Sequence, residues 1–387
     1  MGEKPGANQT ALAFFIPGLN GGGAQKVVVN LANALVDLTD RPVHIVLARA
    51  EGEFLDEVRP EVKVVDLGTG RASRSIFALA RYLRKERPAV LCSSLNYANV
   101  CASVAWHLAG KPCRLVLRED NVVRAPAGNA VKKMRGHLMQ RLMGLLYRRA
   151  DTVVALGEAV ASTLQDRGIC QTDHIKIIGN PVTVQTSPST ANDEPGDGKP
   201  WGKHYIVAVG RLARQKGFDT LIESFAKVKD KDCDLVILGE GELRGELEAL
   251  AKNLGIAQRV HMPGFVKNPH SVMASAQLFV LSSRWEGFGL VIVEALALGA
   301  PVVATDCSGA PRALLRDGEL GHLVPVYDPD ALAEAITEAL HSPRGTREAR
   351  QERARDFAAP AIARQYLEEA FGLEANPSRP EIVTEAQ

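Results

Sequence analysis

Leu278-Phe-Val-Leu-Ser-Ser-Arg-Trp-Glu-Gly-Phe-Gly-Leu-Val-Ile-Val-Glu-Ala-Leu-Ala297 joins an apolar strand to an apolar helix through a polar loop with two glycines. The run Leu278–Leu281 has the length of a strand, and Glu286 stands in the loop that follows it. A helix that starts near Gly289 carries Glu294 in its second turn. A buried strand, a polar loop and a buried helix form the basic unit of a doubly wound α/β sheet.

The same alternation runs through the whole chain, and near-continuous apolar strands separated by helices indicate parallel sheets covered on both faces. In the first half the predicted strands are Leu12–Ile16, Val43–Ala48, Val62–Leu67, Ala89–Ser93, Arg114–Leu117, Thr152–Leu156 and Ile175–Ile178. In the second half they are Tyr205–Val209, Leu235–Leu238, Val260–Met262, Leu278–Leu281, Val302–Ala304 and His322–Val324. Helices are predicted between most of them, for example over Ala24–Leu38 and Ser73–Glu86. The fold class is therefore α/β.

The length of 387 residues favours two domains. Thr183–Pro200 is rich in Pro, Ser, Thr, Asp and Gly, which is typical of a linker. We expect an N-terminal domain over residues 1–182, the linker over 183–200 and a C-terminal domain over 201–356. Residues 357–387 are expected to form a helix that packs back on the N-terminal domain and then a tail. Pro360 should divide the helical pattern Glu348–Gly372 into two shorter helices.

Composition narrows the class of protein. Lys and Arg number 46 against 45 Asp and Glu, which disfavours a dedicated nucleic-acid binder. The N-terminus lacks the apolar core of a signal peptide, and no run of about 20 apolar residues occurs. We therefore expect a cytoplasmic protein, peripheral on the inner face of the cell membrane at most. The six scattered cysteines are interpreted as small buried residues in a reducing compartment.

Three glycine-containing loops follow predicted strands, where ligands of open parallel sheets bind. The loop with Gly21, Gly22 and Gly23 precedes a helix whose N-terminus suits phosphate. In the loop Gly210–Gly217, Arg211 and Lys216 could direct two cations at a diphosphate. The third loop carries Gly239 and Gly241. For each loop taken alone, a plain turn or a solvated basic loop remains an alternative. The glycine spacing of the first loop matches neither the dinucleotide-binding fingerprint nor the phosphate loop of nucleoside triphosphatases.

The fourth loop is the most informative. A helix start leaves the backbone N–H groups of Gly289, Leu290 and Val291 without intrahelical acceptors, so they can bind phosphate oxygens. Glu286 and Glu294 flank that point, and a carboxylate can accept two hydrogen bonds from vicinal sugar hydroxyls. Two solvated glutamates would not explain a charge in the middle of so apolar a helix.

Together the four loops resemble glycosyltransferase family four, a large group of retaining enzymes that use sugar nucleotides. The resemblance covers nearly the whole chain and rests on four motifs. They are Phe14–Lys26, Ile177–Val182, Val209–Gly217 and the Glu-x7-Glu pattern of Glu286 and Glu294. It implies the GT-B architecture, in which two doubly wound Rossmann-like domains face a deep interdomain cleft.

The resemblance also implies roles for single residues. The Gly21–Gly23 loop would face the donor phosphates, and Arg211 and Lys216 would hold the diphosphate. Glu286 would contact the donor sugar and Glu294 the ribose, with the turn Pro263–Phe265 near the base. Such enzymes need no bound metal or cofactor and retain the anomeric configuration. The site that the resemblance implies has Glu286, Arg211 and Lys216 as catalytic residues. Its donor-binding residues would be Gly21, Gly22, Gly23, Gly239, Gly241, Phe265, Gly289, Leu290, Val291 and Glu294.

Two positions depart from the family pattern. Many relatives carry a histidine after the fifth strand, where this chain has Glu119, Asp120 and Asn121. These residues and Asn96 are candidates for acceptor binding. Arg312 stands where other members often have glutamate.

Two Asp-x-Asp patterns resemble the metal site of another glycosyltransferase fold. Asp232 and Asp234 precede a strand, which is the wrong end for a ligand. Asp328 and Asp330 flank Pro329 and are interpreted as a turn and a helix cap. We therefore predict no metal site.

The segment 124–149 combines basic and apolar residues and contains no acidic residue. Such a helix is typical of a contact with an anionic membrane or a lipid pyrophosphate, and an ordinary helix with a solvated basic face remains the alternative.

We expect a retaining hexosyltransferase or N-acetylhexosaminyltransferase with a UDP-linked donor, acting on a glycan or lipid-linked acceptor in envelope polysaccharide or glycolipid assembly. The alternatives are an epimerase or phosphorylase of the same fold and a non-catalytic sugar-nucleotide-binding protein.

Overall fold

The computed structural model describes residues 10–20, 22–120, 130–183, 201–230, 232–266, 268–307 and 309–376, except for the side chains of residues 130–133 and 135. Gly21, Asn121, the linker from residue 184 to 200 and the tail from residue 377 lie outside these ranges. The chain divides into two compact units. The first runs to Val182 and resumes at Ala358, and the second runs from Thr183 to Phe357.

The first unit is built on a seven-stranded parallel sheet of order β3-β2-β1-β4-β5-β6-β7. Its strands are β1 Leu12–Ile16, β2 Val43–Leu47, β3 Val62–Asp66, β4 Val90–Ser94, β5 Arg114–Glu119, β6 Thr152–Ala155 and β7 Ile175–Ile177. Its helices before the second unit are α1 Gly23–Val36, α2 Ile76–Glu86, α3 Asn96–Leu108, α4 Ala130–Tyr147 and α5 Glu158–Asp166. The predicted strands are confirmed to within two residues at each end.

The second unit is built on a six-stranded parallel sheet of order β10-β9-β8-β11-β12-β13. Its strands are β8 Tyr205–Val209, β9 Asp234–Leu238, β10 Val260–Gly264, β11 Leu278–Leu281, β12 Val302–Thr305 and β13 His322–Val324. Its helices are α6 Phe218–Lys227, α7 Arg244–Asn253, α8 His270–Ser275, α9 Leu290–Ala297, α10 Pro311–Leu314, α11 Pro329–His341 and α12 Arg347–Arg355. Both units are doubly wound, as predicted.

The two faces of the first sheet follow from the alternation of side chains along a strand. On β1, Ala13 and Phe15 join the core that α2, α3 and α4 share. Phe14 points to the opposite face, where its ring lies 6.0 Å from that of Phe371. Both faces are therefore buried, which explains why β1 is apolar at every position.

The C-terminal segment returns to the first unit. Pro360 lies in the first turn of α13 Ala359–Gln365, separate from α12, so the predicted division into two helices is confirmed. A π-helical turn over Tyr366–Ala370 follows, and the Ala370 carbonyl oxygen accepts a hydrogen bond from Arg114 Nε at 3.0 Å. Phe357 still belongs to the second unit, since its ring packs against Phe288 at 5.4 Å.

A buried arginine, Arg118, stabilises the segment where the chain leaves the first unit. Arg118 on β5 is 1% exposed and donates hydrogen bonds to Ser94 Oγ at 3.2 Å and Asn180 Oδ1 at 2.5 Å. Asp120 balances its charge at 2.6 Å. Since a buried cation must be paired and hydrogen-bonded, this cluster fixes the segment that leads to Val182.

Among the described residues, no helix is long and apolar enough to cross a bilayer.

We predict that Phe14→Ala destabilises the first unit by about 3–5 kcal/mol, because it opens a cavity in a face that α13 completes. Hydrogen–deuterium exchange of peptides from β1, β4 and α13 measures this loss. Val64→Ala on the edge strand β3 is the control, since Val64 is 36% exposed. Equal exchange in both variants would contradict the role of this packing.

Candidate active site

The strand order of the second sheet reverses between β8 and β11, and ligands of doubly wound sheets bind at the carboxyl ends of such strands. The loop Gly210–Gly217 follows β8, and Ser282–Gly289 follows β11. Two of the loops predicted from the sequence therefore meet at the switch point of this sheet.

The centre of this site is a partly buried ion pair. Lys216 Nζ donates to Glu286 Oε1 at 2.6 Å, and Ser283 Oγ donates to the same oxygen at 2.5 Å. Glu286 is 6% exposed. The structure thus brings together two predicted catalytic residues and adds Ser283, which sequence reasoning did not single out.

Hydrogen bonds between the two loops fix this geometry. Arg284 N donates to the Gln215 carbonyl oxygen at 2.8 Å, and Ser282 Oγ donates to that of Lys216 at 2.8 Å. A Cβ atom at Gly217 would lie 2.2 Å from the Ser282 carbonyl oxygen. The loop Gly210–Gly217, called the cation loop below, leads into α6 at Gly217. Glycine is therefore required there, because any side chain would push the two loops apart.

Helix α9 starts at the same edge. Gly289 is its N-cap residue, with φ 87°, and makes no side-chain hydrogen bond to the helix. Glycine has no side chain that could cap the helix, so residue 289 leaves the first N–H groups of α9 available to a ligand. Glu294 lies in the second turn, and its Oε2 is 3.9 Å from His270 Nε2 on α8. No motif in the sequence indicates that His270 belongs to the site, because only the fold brings it close to Glu294.

Gly239 and Gly241 serve loop packing. A Cβ atom at Gly239 would lie 2.0 Å from the Gly210 carbonyl oxygen, and one at Gly241 would lie 2.3 Å from that of Leu212. Leu212 N also donates to the Glu240 carbonyl oxygen at 2.8 Å. The two glycines let the loop after β9 lie against the cation loop, and their contact with a donor stays a prediction.

Two further predicted residues are accessible. Arg211 is exposed in the cation loop, and Phe265 is 66% exposed directly after β10.

Cys307 follows β12 close to Glu286. Burial raises the pKa of its thiol to about 12, and the nearby Glu286 carboxylate adds to the rise. This thiol therefore stays neutral and is not a nucleophile at physiological pH.

The carboxyl edge of the first sheet carries the acceptor candidates. Glu119 is fully buried, and its Oε2 accepts a hydrogen bond from the Tyr147 hydroxyl at 3.0 Å. Asp120 is 8% exposed, and its Oδ2 accepts from Leu95 N at 3.2 Å. Burial raises the pKa of Asp120, and the Arg118 guanidinium opposes this shift.

Asn96 is half-buried in the first turn of α3, beside the point where the strand order reverses between β1 and β4. Gly22 and Gly23 lie at the start of α1, after β1. Gly21 and Asn121 lie outside the described residues, so the structure does not place them.

The remaining patterns have structural explanations. Asp234 Oδ2 accepts a hydrogen bond from Gly202 N at 2.7 Å, at the amino end of β9. The Asp328 side chain caps α11 by accepting from Asp330 N and Ala331 N, as predicted. Arg312 pairs with Asp306, Nε to Oδ1 being 3.2 Å, so this departure from the family pattern has a partner within the second unit.

The two doubly wound units give the chain the GT-B fold, and comparison with known proteins gives the family. The profile of the family described as glycosyl transferases group 1 matches residues 190–357. The profile of the glycosyl transferase 4-like domain matches residues 22–181. The chain belongs to the glycosyltransferases of this family-four type.

Individual relatives agree with this assignment. A Campylobacter jejuni N-acetylgalactosamine-N,N'-diacetylbacillosaminyl-diphospho-undecaprenol 4-alpha-N-acetylgalactosaminyltransferase is 29% identical over 93% of this chain and 99% of its own. The Rhizobium meliloti lipopolysaccharide core biosynthesis glycosyltransferase LpsE is 32% identical over 60% of this chain and 66% of its own. The crystal structure of Anabaena HepE in complex with UDP and glucose has a TM-score of 0.76 at 21% identity, over 94% of this chain and 100% of that one.

We predict that Gly239→Ala destabilises the second unit by at least about 1–3 kcal/mol, because the new methyl group collides with the Gly210 carbonyl oxygen. Gly245→Ala is the matched control. Gly245 lies in α7 with nothing near its Cβ position, so alanine should stabilise the helix by about 0.5–1 kcal/mol. Thermal denaturation of both variants decides, and an unchanged Gly239→Ala transition would contradict the packing role.

Proposed function

We propose that this glycosyltransferase moves a hexose or N-acetylhexosamine from a UDP-linked donor to a lipid-linked glycan acceptor, with retention of anomeric configuration and without a metal ion. The observation that carries the proposal is the convergence of Lys216 and Ser283 on one oxygen of Glu286, beside the N-terminus of α9. This arrangement suits a donor that presents a diphosphate and a sugar side by side.

The proposed mechanism begins with an exchange of partners. In the structure, Lys216 pairs with Glu286. A bound diphosphate offers Lys216 a stronger anion, and Ser283 still holds the carboxylate when Lys216 turns to the phosphate. Glu286 can then accept hydrogen bonds from sugar hydroxyls.

Charge grows on the diphosphate as the glycosidic bond breaks. Lys216, the exposed Arg211 and the free N–H groups at the start of α9 would stabilise this charge, since fixed donors and cations are most effective in a partly buried site. These groups can perform the task that a metal ion performs in other transferases. Glu294, in the second turn of α9, would bind the ribose, and Phe265 would lie at the base.

The donor and acceptor classes are supported by relatives. The Campylobacter jejuni relative is named as acting on a diphospho-undecaprenol-linked sugar, and the Anabaena structure holds UDP. In the first unit we propose Asp120 and Asn96 as acceptor contacts in preference to Glu119, whose carboxylate lies in the core against Tyr147.

A lipid-linked acceptor requires access to a membrane. We propose that segment 124–149 lies on its inner, anionic surface. Met134 and Leu138 on α4 are each 67% exposed, and Leu145 is 53% exposed, which is unusual for large apolar side chains of a helix that also carries the exposed Arg141. The protein would then be cytoplasmic and peripheral.

The donor site predicts selective nucleotide binding. In calorimetric titrations with UDP, GDP and ADP, we expect UDP to bind with micromolar affinity. Glu294→Ala should weaken this binding about 10–100-fold, because it removes the charged acceptor of hydrogen bonds that the ribose hydroxyls donate. Glu246→Ala, an exposed position on α7, is the matched control. No binding of any nucleotide would contradict the proposal, and preferred binding of GDP or ADP would correct the base.

The phosphate contact predicts a defect in turnover. With a lipid-diphosphate-linked sugar as the acceptor and UDP-N-acetylgalactosamine, UDP-N-acetylglucosamine, UDP-galactose or UDP-glucose as the donor, Lys216→Ala should lower kcat about 100–1000-fold, measured as UDP release. The change in KM should be smaller. Lys227→Ala, which removes an exposed pair with Asp330, is the control. Excess chelator should leave the rate unchanged, and product NMR should show the anomer of the donor. Unchanged kinetics in Lys216→Ala would exclude this lysine from the reaction.

A further inference from the structure

Basic residues are concentrated in one part of the first unit. Residues 67–150 contain sixteen Lys and Arg and three Asp and Glu, while the rest of the chain contains thirty and 42. Two of the three acidic residues, Glu119 and Asp120, are buried. A nearly neutral chain thus carries a strongly cationic segment, and only Glu86 offsets its charge at the surface.

Helix α2 presents part of this charge on one face. Leu79, Ala80, Tyr82 and Leu83 are buried against the sheet. The exposed residues at helical spacing lie within an arc of about 100°. They are Phe77, Arg81, Arg84 and Lys85. Two more exposed arginines, Arg71 and Arg74, stand just before the helix.

Phe77 is 79% exposed, the highest value among the large apolar side chains that the structure describes. It lies one turn from Arg81 and three residues from Arg74. A solvated basic face needs no phenylalanine at its centre, and burying that ring against hydrocarbon would be favourable. The combination is typical of a helix that lies on a membrane surface.

The position of α2 links it to α4. Helices α2, α3 and α4 pack side by side and share one core on the same face of the first sheet. Phe77 stands in the first turn of α2, and Met134 near the start of α4. Each of these helices begins at the carboxyl edge of the sheet, where Asn96 and Asp120 also lie.

We propose that α2 is a second, independent contact with an anionic membrane, with Phe77 inserted among the acyl chains and Arg71, Arg74 and Arg81 at the phosphate groups. The inference deepens the proposed function and rests on it for its biological sense. A surface that seats both α2 and α4 brings the acceptor candidates close to the headgroups, where the sugar of a lipid-linked acceptor is found. Nucleic acid fits less well, because it would match the arginines but not the exposed apolar side chains of both helices.

The test measures vesicle binding of the full chain by co-sedimentation, with phosphatidylcholine vesicles and with equal parts of phosphatidylcholine and phosphatidylglycerol. We expect binding to the mixed vesicles only. Phe77→Ser should weaken it about tenfold or more, since it removes a buried aromatic ring. Arg74→Gln/Arg81→Gln should weaken it about 25-fold, because each arginine near an anionic surface contributes about fivefold.

Controls separate this surface from general effects. Leu254→Ser and Arg347→Gln/Arg355→Gln change exposed residues of the second unit and should bind as the unaltered protein does. Leu138→Ser/Leu145→Ser on α4 should weaken binding independently of Phe77→Ser. Thermal denaturation of each variant shows that it is folded.

Three results would overturn the proposal. They are equal binding to both kinds of vesicle, unaltered binding of both α2 variants, and tight binding of an RNA fragment that Phe77→Ser leaves unchanged. UDP titration of the same preparations keeps the two proposals distinct. Vesicle binding without UDP binding would refute the donor site alone, and the reverse would refute the membrane contact alone.

Discussion

The ion pair of Lys216 and Glu286 is the interaction on which the carboxyl edge of the second sheet depends. A carboxylate that is 6% exposed is costly unless a cation and a hydrogen-bond donor reach it. Meeting that demand requires two loops, 70 residues apart in sequence, to lie in contact. Glycine at position 217, the Ser282 hydroxyl and the Arg284 amide all serve this contact. The residues to which we assign the reaction therefore also shape the loops around the site.

Much of the fold could be predicted because parallel strands buried on both faces leave continuous apolar runs in the sequence. Pro360 predicted a helix boundary for an equally local reason, since proline cannot continue a helix. Glu294 is recognisable because a charge is rare in so apolar a helix, and Glu286 because it stands in the loop after a strand, where ligands of parallel sheets bind. Each of these signals lies within about ten residues of the feature that it predicts.

The remaining features depend on tertiary structure. Ser283 and His270 join the site only because loops and helices distant in sequence are brought together. Glu119 and Asp120 are neighbours with the same chemistry, yet one lies in the core and the other at the sheet edge, and their sequence alone does not decide which. The buried face of α2 has the apolar pattern of an ordinary core helix. Only its exposed surface distinguishes Phe77 from the buried residues around it.

The return of the chain to the first unit has a consequence for synthesis. The face of the sheet that contains Phe14 is completed by Phe371, and the whole second unit is translated between Val182 and Ala358. At about 5–20 residues per second, the ribosome needs roughly 10–40 s to deliver the closing helix after the last strand of the first sheet has emerged. During that interval the ring of Phe14 lacks its Phe371 partner, while the second unit gains its strands one after another. The second unit can therefore be complete before the first, although its strands are translated later.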